Sequence, residues 1–596
     1  MSAPSEARSE RDDPESASRH SKTRPWQESN LTINILAITV GVTSALGAVL
    51  FIHVMRLTQH FFFDVLHPAT IPFLGVTAIV LIPTLGGLLV APITTYFAPE
   101  TKGHGVPELM LAIRTKKGRL RPRAALMKLL ASAITLTSGG SAGREGPIVL
   151  IGGGIGSTFS RIFNLTPGRT RRIIACGCAA AIAVVFNAPV AGSIFAIEII
   201  IGDFAVRSFA SVILSAVAGS VVGWYFLGSS PSFAIPAYGV VNPTEFGLFL
   251  ALGVLAAGVA LAFTYLLYKT DDLFEHGIRI PPILKPALGG LLVGIIAIWT
   301  PQVMGVGYDY INQVLTNDYA VWLLLMLIVL KMLATSFTLG SGASGGIMSP
   351  SLFMGAMLGT GFGTIAQRYL GTSIAHPGAY GLVGMAAVFG AAAQAPFTSI
   401  MLIFEMTRDY NLIVPVMFGV VIATVIYNHF RKTTIYTRKL IKRGVHYRFA
   451  HEVNVLEEIQ VGEIMNKVVD SISEDTPYDK AYHAVFSSHH NGFPVVDREG
   501  LLVGIITEGD FGRHIITDTK RGHEVKLKEI MCTHVKSVYP DMSVWEVLKM
   551  FDTLKLGRFP VVSRDNPRKI IGIVTRSDIV HAYPEALKRH EIEFEI

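Results

Sequence analysis

Charge is what this chain has least of. Only 16% of its 596 residues are Asp, Glu, Lys or Arg, against 50% apolar, and the mean hydropathy is +0.46. Such a balance excludes an ordinary soluble enzyme and describes a polytopic membrane protein. Cysteine is scarce too. Cys176, Cys178 and Cys532 form neither a disulfide framework nor a zinc spacing, and read as reduced packing residues. No His-Glu-x-x-His helix exists: His451-Glu452, His523-Glu524 and His590-Glu591 all lack the second histidine. That disfavours an intramembrane metalloprotease, the alternative from a different class, and leaves no metal site and no enzyme activity expected. The first 29 residues lack an apolar stretch, which argues for a disordered cytoplasmic tail rather than a cleaved signal peptide.

What is present is apolar sequence in long charge-free runs, among them Leu31 to Met55, Phe246 to Tyr268, Met332 to Gln367 and Tyr410 to Phe430. Each exceeds the roughly 20 residues that span a bilayer. The net charge of +7 is local and offers no face for nucleic acid. Arg114, Lys116, Lys117, Arg119, Arg121 and Arg123 crowd one short loop, which the positive-inside tendency places in the cytoplasm. Two spans are expected at Leu31 to Leu57 and about Phe73 to Phe97. Against this background Ser138 to Pro147, S-G-G-S-A-G-R-E-G-P, stands out, because Arg144 and Glu145 open a charge-free segment running from Ile148 to Ser160. Ionisable groups at membrane depth are costly and are read as functional. An irregular glycine-rich approach is tolerated there only where the backbone is buried in protein or lines a watery cavity.

The stretch has a counterpart. Ser138, Gly139, Gly143, Pro147, Gly152 and Gly156 recur 203 positions later as Ser341, Gly342, Gly346, Pro350, Gly355 and Gly359. Gly177, Ala188, Pro189 and Glu198 recur at a spacing of 207 as Gly384, Ala395, Pro396 and Glu405. Two halves with interrupted hydrophobic segments in matching places predict a transporter-type fold with its site between them near the midplane. Converging half-helix N-termini carry about half a positive charge each and hold a small anion without a full lysine or arginine charge. From about Arg431 the sequence turns soluble. In this tail Phe493-Pro494-Val495-Val496 recurs 66 positions later as Phe559-Pro560-Val561-Val562, and Gly504, Thr507 and Asp510 recur after 68 as Gly572, Thr575 and Asp578. The alternation of β-type runs with helical stretches makes the tail an α/β tandem.

These residues carry a resemblance. G-R-E-G-P at Gly143 to Pro147, G-I-M-S-P at Gly346 to Pro350 and G-H-G-V-P at Gly103 to Pro107 resemble the three anion-site motifs of the CLC chloride channels and chloride/proton exchangers. The tail resembles a pair of CBS domains. The resemblance implies an all-α polytopic membrane domain of two inverted repeats with broken half-helices, followed by an α/β cytoplasmic CBS pair. The expected boundaries are 30–445 for the membrane domain (halves 30–227 and 246–441), 446–460 for a linker, 461–518 and 525–583 for the CBS units, and 584–596 for a tail. It also implies a multi-pass protein of a bacterial-type inner or plasma membrane, a homodimer with one pathway per subunit, and a cytoplasmic N-terminus and CBS pair. Glu145 would be the gating glutamate and Tyr436, in a short helix from Thr433 to Leu440, the inner-gate tyrosine. The anion would meet His104, Gly105, Arg144, Gly146, Ile347, Met348 and Tyr436. No cofactor is required; Thr507, Asp510, Thr575 and Asp578 match positions that contact an adenine nucleotide.

Departures from the family pattern shape the functional expectation. His104 stands where a serine hydroxyl usually coordinates the anion, and Met348 replaces a phenylalanine whose backbone does the coordinating. Ile199 stands where the exchangers carry an internal proton-accepting glutamate, and an aliphatic side chain cannot relay a proton. Glu198 beside it recurs as Glu405 and reads as a structural carboxylate. The expectation is therefore a passive gated chloride channel, with a chloride or other anion/proton antiporter of non-standard proton route as the alternative.

Overall fold

The computed structural model describes residues 30–115, 118–202, 206–233, 238–239, 241–444, 456, 459–488, 492–511, 526–554 and 556–583. The polar tail at 1–29, Lys116, Lys117, most of the 446–460 linker and the stretch 584–596 lie outside the described residues. The chain divides into two units, one up to Ala450 and one from His451.

The first unit is helical, and its helices answer one another across the two halves. Asn30–Gln59 corresponds to Glu245–Asp272, Ala78–Pro92 to Lys285–Trp299, Val106–Thr115 to Tyr308–Thr316, and Pro122–Thr137 to Val321–Gly340. Glu145–Ile162 then corresponds to Met348–Leu370, Pro167–Phe186 to Pro377–Ala393, Pro189–Phe195 to Pro396–Thr407, and Val206–Leu227 to Ile413–Phe430. The two halves are the inverted repeats. Among the described residues seven helices are long and apolar enough to cross a membrane. The pair opening at Glu145 and Met348 is not among them; both are rich in glycine and buried over most of their length.

Local sequence sets these breaks. Asn187 and Gln394, 207 positions apart, both adopt φ of +53°, ending the helices before them in the left-handed conformation. Pro189 and Pro396 then start the next helices at the position where a missing N–H costs nothing. The broken helices pack at glycine distance. A Cβ on Gly152 would meet the Gly177 carbonyl, and one on Gly355 the Gly384 carbonyl, so both repeats use the same close crossing. The expected break before the second span moves: Phe73 and Leu74 end the helix His67–Leu74, and Gly75, at φ +55°, separates it from Ala78–Pro92. Proline at 68 and 72 and glycine at 75 favour a stop there over a continuous span.

The second unit is the α/β tandem. Gly492–Val496 pairs antiparallel with Leu502–Thr507 and parallel with Ile472–Ser473, while Arg558–Val562 pairs antiparallel with Ile570–Thr575. Register shifts fall at Val495/Val496 and Val561/Val562, so the same irregularity recurs in both copies. The copies also exchange bridges: Asn466 pairs with Ile573 of the second, and Cys532 with Ile505 of the first.

Candidate functional site: an anion site between two half-helices

Three glycine-bearing segments meet where the helices break. Gly143 and Gly346 exchange backbone hydrogen bonds of 2.8 and 2.6 Å, and Gly103 N–H donates to Ala343 O at 3.0 Å. Their approach requires residues without side chains, since a Cβ on Gly146 would collide with His104 O. Hydroxyl pairs repeat the two-fold relation. Ser132 and Ser344 lie 2.8 Å apart, Ser141 and Thr335 3.0 Å, and Thr338 and Thr135 accept from the amides of Ser141 and Ser344. Position 132 maps to 335 and 141 to 344 at the repeat spacing of 203.

Glu145 is the first residue of its helix and fully buried. Its carboxylate reaches the N-terminus of the opposite half-helix, Met348–Leu370. Oε1 accepts from Met348 N–H and, at 3.3 Å, from Ser349 N–H, and Oε2 accepts from the Ser349 hydroxyl at 3.0 Å. A carboxylate held by unsatisfied helix amides marks a place where negative charge is stabilised, each such contact being worth about 0.3 to 2 kcal/mol. These donors were expected at Ile347 and Met348; the carboxylate takes them from Met348 and Ser349, one residue further into the helix.

Beside this place, Tyr436 and His104 present polar atoms that have no hydrogen-bond partner among the described residues: the Tyr436 hydroxyl and His104 Nδ1. Both side chains are buried, and their rings lie 6.2 Å apart. Gly103 and Gly105 flank the histidine at φ of +75° and +76°, a conformation that favours glycine. Tyr436 precedes the helix rather than lying in it. The helix runs Thr437–Lys442, because Thr434 Oγ1 accepts from the amides of Tyr436 and Thr437 and so delays its start. A cavity of about 260 Å³ adjoins His104, lined also by Lys102, Tyr268, Asp271, Lys439 and Arg443.

Arg144 sits apart from the anion donors. Its guanidinium donates to Val185 O at 3.2 Å and lies 4.9 Å from the centre of the Tyr308 ring and 5.6 Å from that of Phe186. It makes no ion pair with Glu145 among the described residues and packs instead against the aromatic rings of Tyr308 and Phe186. Ile199 is buried in the apolar core, in the π-helical segment Ala196–Ile201. Its neighbour Glu198 accepts from Phe397 N–H, Thr398 N–H and the Thr398 hydroxyl at 3.2, 2.8 and 2.6 Å. In the second unit, Asp510 Oδ2 accepts from Thr507 N–H and Oγ1 at 2.8 and 2.7 Å, and Asp578 does the same for Thr575 at 2.7 and 2.7 Å.

Sequence reasoning missed Lys128 and Lys331. Both are fully buried, and each clamps a loop by two carbonyls: Lys128 holds Thr101 O and Gly103 O at 2.9 and 2.6 Å, and Lys331 holds Val303 O and Gly305 O, each at 2.9 Å. They stand at the repeat spacing of 203, which is the sequence signal that marks them.

Two inverted repeats, half-helices meeting end to end and a carboxylate at their junction define an ion-translocating membrane protein of the broken-helix class. The chain belongs to the CLC family. It matches the Voltage gated chloride channel family over residues 86–428, and CBS domains match at 461–516 and 527–585. It is 35% identical over 327 residues to the H(+)/Cl(-) exchange transporter ClcA of Vibrio cholerae, covering 54% of this chain and 70% of the relative. It is 28% identical over 575 residues to the Chloride channel protein CLC-f of Arabidopsis thaliana, covering 83% and 72%. The crystal structure of a slow cyanobacterial Cl-/H+ antiporter superposes with a TM-score of 0.64 at 25% identity, covering 71% of this chain and 98% of that one.

Proposed function

We propose that this protein exchanges chloride for protons across a membrane through the Glu145 site, and is not the passive channel that Ile199 led us to expect. The observation that carries this reading is the Glu145 carboxylate bound to the donors of the opposite half-helix, an anion mimic that is also a proton acceptor. The names of the relatives support it, since a V. cholerae relative and a solved cyanobacterial neighbour are exchangers.

When Glu145 is ionised it occupies the donors of Met348 and Ser349 and closes the path. Protonation removes the charge those donors hold, so the side chain leaves and a chloride takes its place. The Tyr436 hydroxyl and His104 ring then receive the anion on the side of the 260 Å³ cavity. Because Ile199 cannot pass a proton, the inner proton route runs elsewhere. His104 is a titratable residue that lines the cavity and whose backbone carbonyl meets Gly146 at the half-helix junction, so the reading assigns the relay to it. Chloride is the transported ion, a homodimer the working assembly, and the CBS pair a cytoplasmic regulatory unit for adenine nucleotide. The basic loop near Arg119 supports a cytoplasmic N-terminus and CBS pair.

The test is the reversal potential of the purified protein in planar bilayers under separate chloride and pH gradients. An exchanger gives a potential displaced by both gradients in fixed proportion. A potential that follows chloride alone returns the protein to the channel reading.

A further inference from the structure

The carboxylate of Glu145 lies where a transported anion would lie, so its donors are the donors the anion inherits. Two are backbone amides, which any sequence supplies. The third is the Ser349 hydroxyl, 3.0 Å from Glu145 Oε2 on a fully buried side chain. It occupies the unspecified position of G-I-M-S-P, where no role was expected. At the other motif, G-H-G-V-P, the chain has an imidazole where a serine hydroxyl is usual. One hydroxyl donor is thus lost from the first repeat, and another stands on the second.

Ser349 is also tuned by a neighbour. Its oxygen lies 3.2 Å from the Tyr308 hydroxyl. A serine carries one hydroxyl proton, and a carboxylate or chloride only accepts, so that proton goes to the anion and Tyr308 O–H donates into Ser349. Donation into a hydroxyl strengthens its own donation. Tyr308 is held for this by Phe233 and Phe186, with ring centres 5.4 and 6.5 Å away, and by the Arg144 guanidinium over its face. The chain from Arg144 through Tyr308 and Ser349 thereby reaches the anion without Arg144 touching it.

We infer that Ser349, polarised by Tyr308, is a specificity-determining residue of the anion site, favouring a compact, charge-dense halide over larger polyatomic anions. A directed hydroxyl donor stabilises concentrated charge more than charge spread over nitrate or thiocyanate, and in a desolvated site that difference is not levelled by water. The inference rests on the exchanger reading of the Glu145 site.

The experiment measures bi-ionic reversal potentials of the full chain in planar bilayers with chloride against nitrate and thiocyanate, for wild type, Ser349→Ala, Ser349→Thr and Tyr308→Phe. Loss of one hydrogen bond to a charged partner predicts that Ser349→Ala lowers the chloride preference by about tenfold. Ser349→Thr keeps the preference, and Tyr308→Phe lowers it part of the way. A Ser349→Ala protein that transports with an unchanged preference overturns the inference. If Ser349→Ala fails to fold, Tyr308→Phe decides, and an unchanged preference there overturns it equally. A wild-type potential that follows chloride and ignores pH sinks the exchanger reading while leaving the anion preference measurable, which separates the two failures.

Discussion

Glu198 and Glu405 cap each other's repeats. Glu198 accepts from the amides of Phe397 and Thr398 at the start of Pro396–Thr407, and Glu405 accepts from Val190 and Ala191 N–H, at 3.0 and 2.7 Å, at the start of Pro189–Phe195. Each carboxylate sits 207 positions from the other and ties its own half to the opposite one. This reciprocity makes Glu198 a fastener, and leaves the proton route without a carboxylate at Ile199.

The first prediction concerns that fastener. Glu198→Ala strips three hydrogen bonds from a helix start and should cost about 2 kcal/mol or more of stability. Thermal unfolding in detergent will show Glu198→Ala and Glu405→Ala lowered by comparable amounts. A Glu198→Ala protein of native stability that has lost proton movement alone would instead make Glu198 a relay.

The lysine pair separates architecture from transport. Lys128→Met leaves Thr101 O and Gly103 O without their donor, and Lys331→Met does the same to Val303 O and Gly305 O. Each should lose about 1 to 3 kcal/mol for the carbonyls it abandons. Chloride efflux from proteoliposomes should fall further in Lys128→Met, because its loop presents His104 whereas the mirrored loop presents Val306. Equal efflux in the two variants would mean that the loop conformation around His104 is immaterial.

Much of this architecture was legible from spacing. The repeats at 203 and 207 located both half-helices, the asymmetric carboxylate and the structural character of Glu198. What spacing could not supply was which side chains complete a site built from distant segments. Ser349 lies 204 positions from Glu145 in the other half, so that bond exists only after the halves interlock, and Tyr308, 41 positions before Ser349 in the same half, is brought to it by the packing of that half. Lys128 was hidden differently, as a cation within a largely apolar helix whose charge is absorbed by backbone carbonyls outside it. The late start of the Tyr436 helix came from a threonine side chain bonding locally, which helical periodicity does not register.

The second unit offers a pH test. Arg564 hydrogen bonds hold the exposed Asp541 carboxyl below its ordinary value, at 3.0 and 2.6 Å. A carboxyl lowered in the folded state adds stability above the unfolded value of about 3.9 and gives it up as pH falls through the folded one. Asp541→Asn should therefore lower stability slightly at neutral pH, remove less in acid, and so flatten the acid side of the unfolding profile of the full chain. An unaltered acid side would mean the pair contributes nothing.

For adenine nucleotide, the prediction is graded by the turns. Asp510 and Asp578 each spend one oxygen on a threonine. If these threonine–aspartate turns contact the nucleotide, Asp510→Ala and Asp578→Ala should abolish ATP heat in calorimetry of the full chain. Unchanged binding would place the nucleotide elsewhere.

The central claim is that one carboxylate, Glu145, both fills the anion site and carries the proton. Its most direct test is chloride-driven proton uptake into proteoliposomes, recorded together with chloride efflux, for wild type and Glu145→Gln. Wild type should take up protons in fixed ratio to chloride released, and Glu145→Gln, a permanent mimic of the protonated side chain, should pass chloride with no proton uptake and no response to pH. Proton uptake that persists in Glu145→Gln would contradict the account.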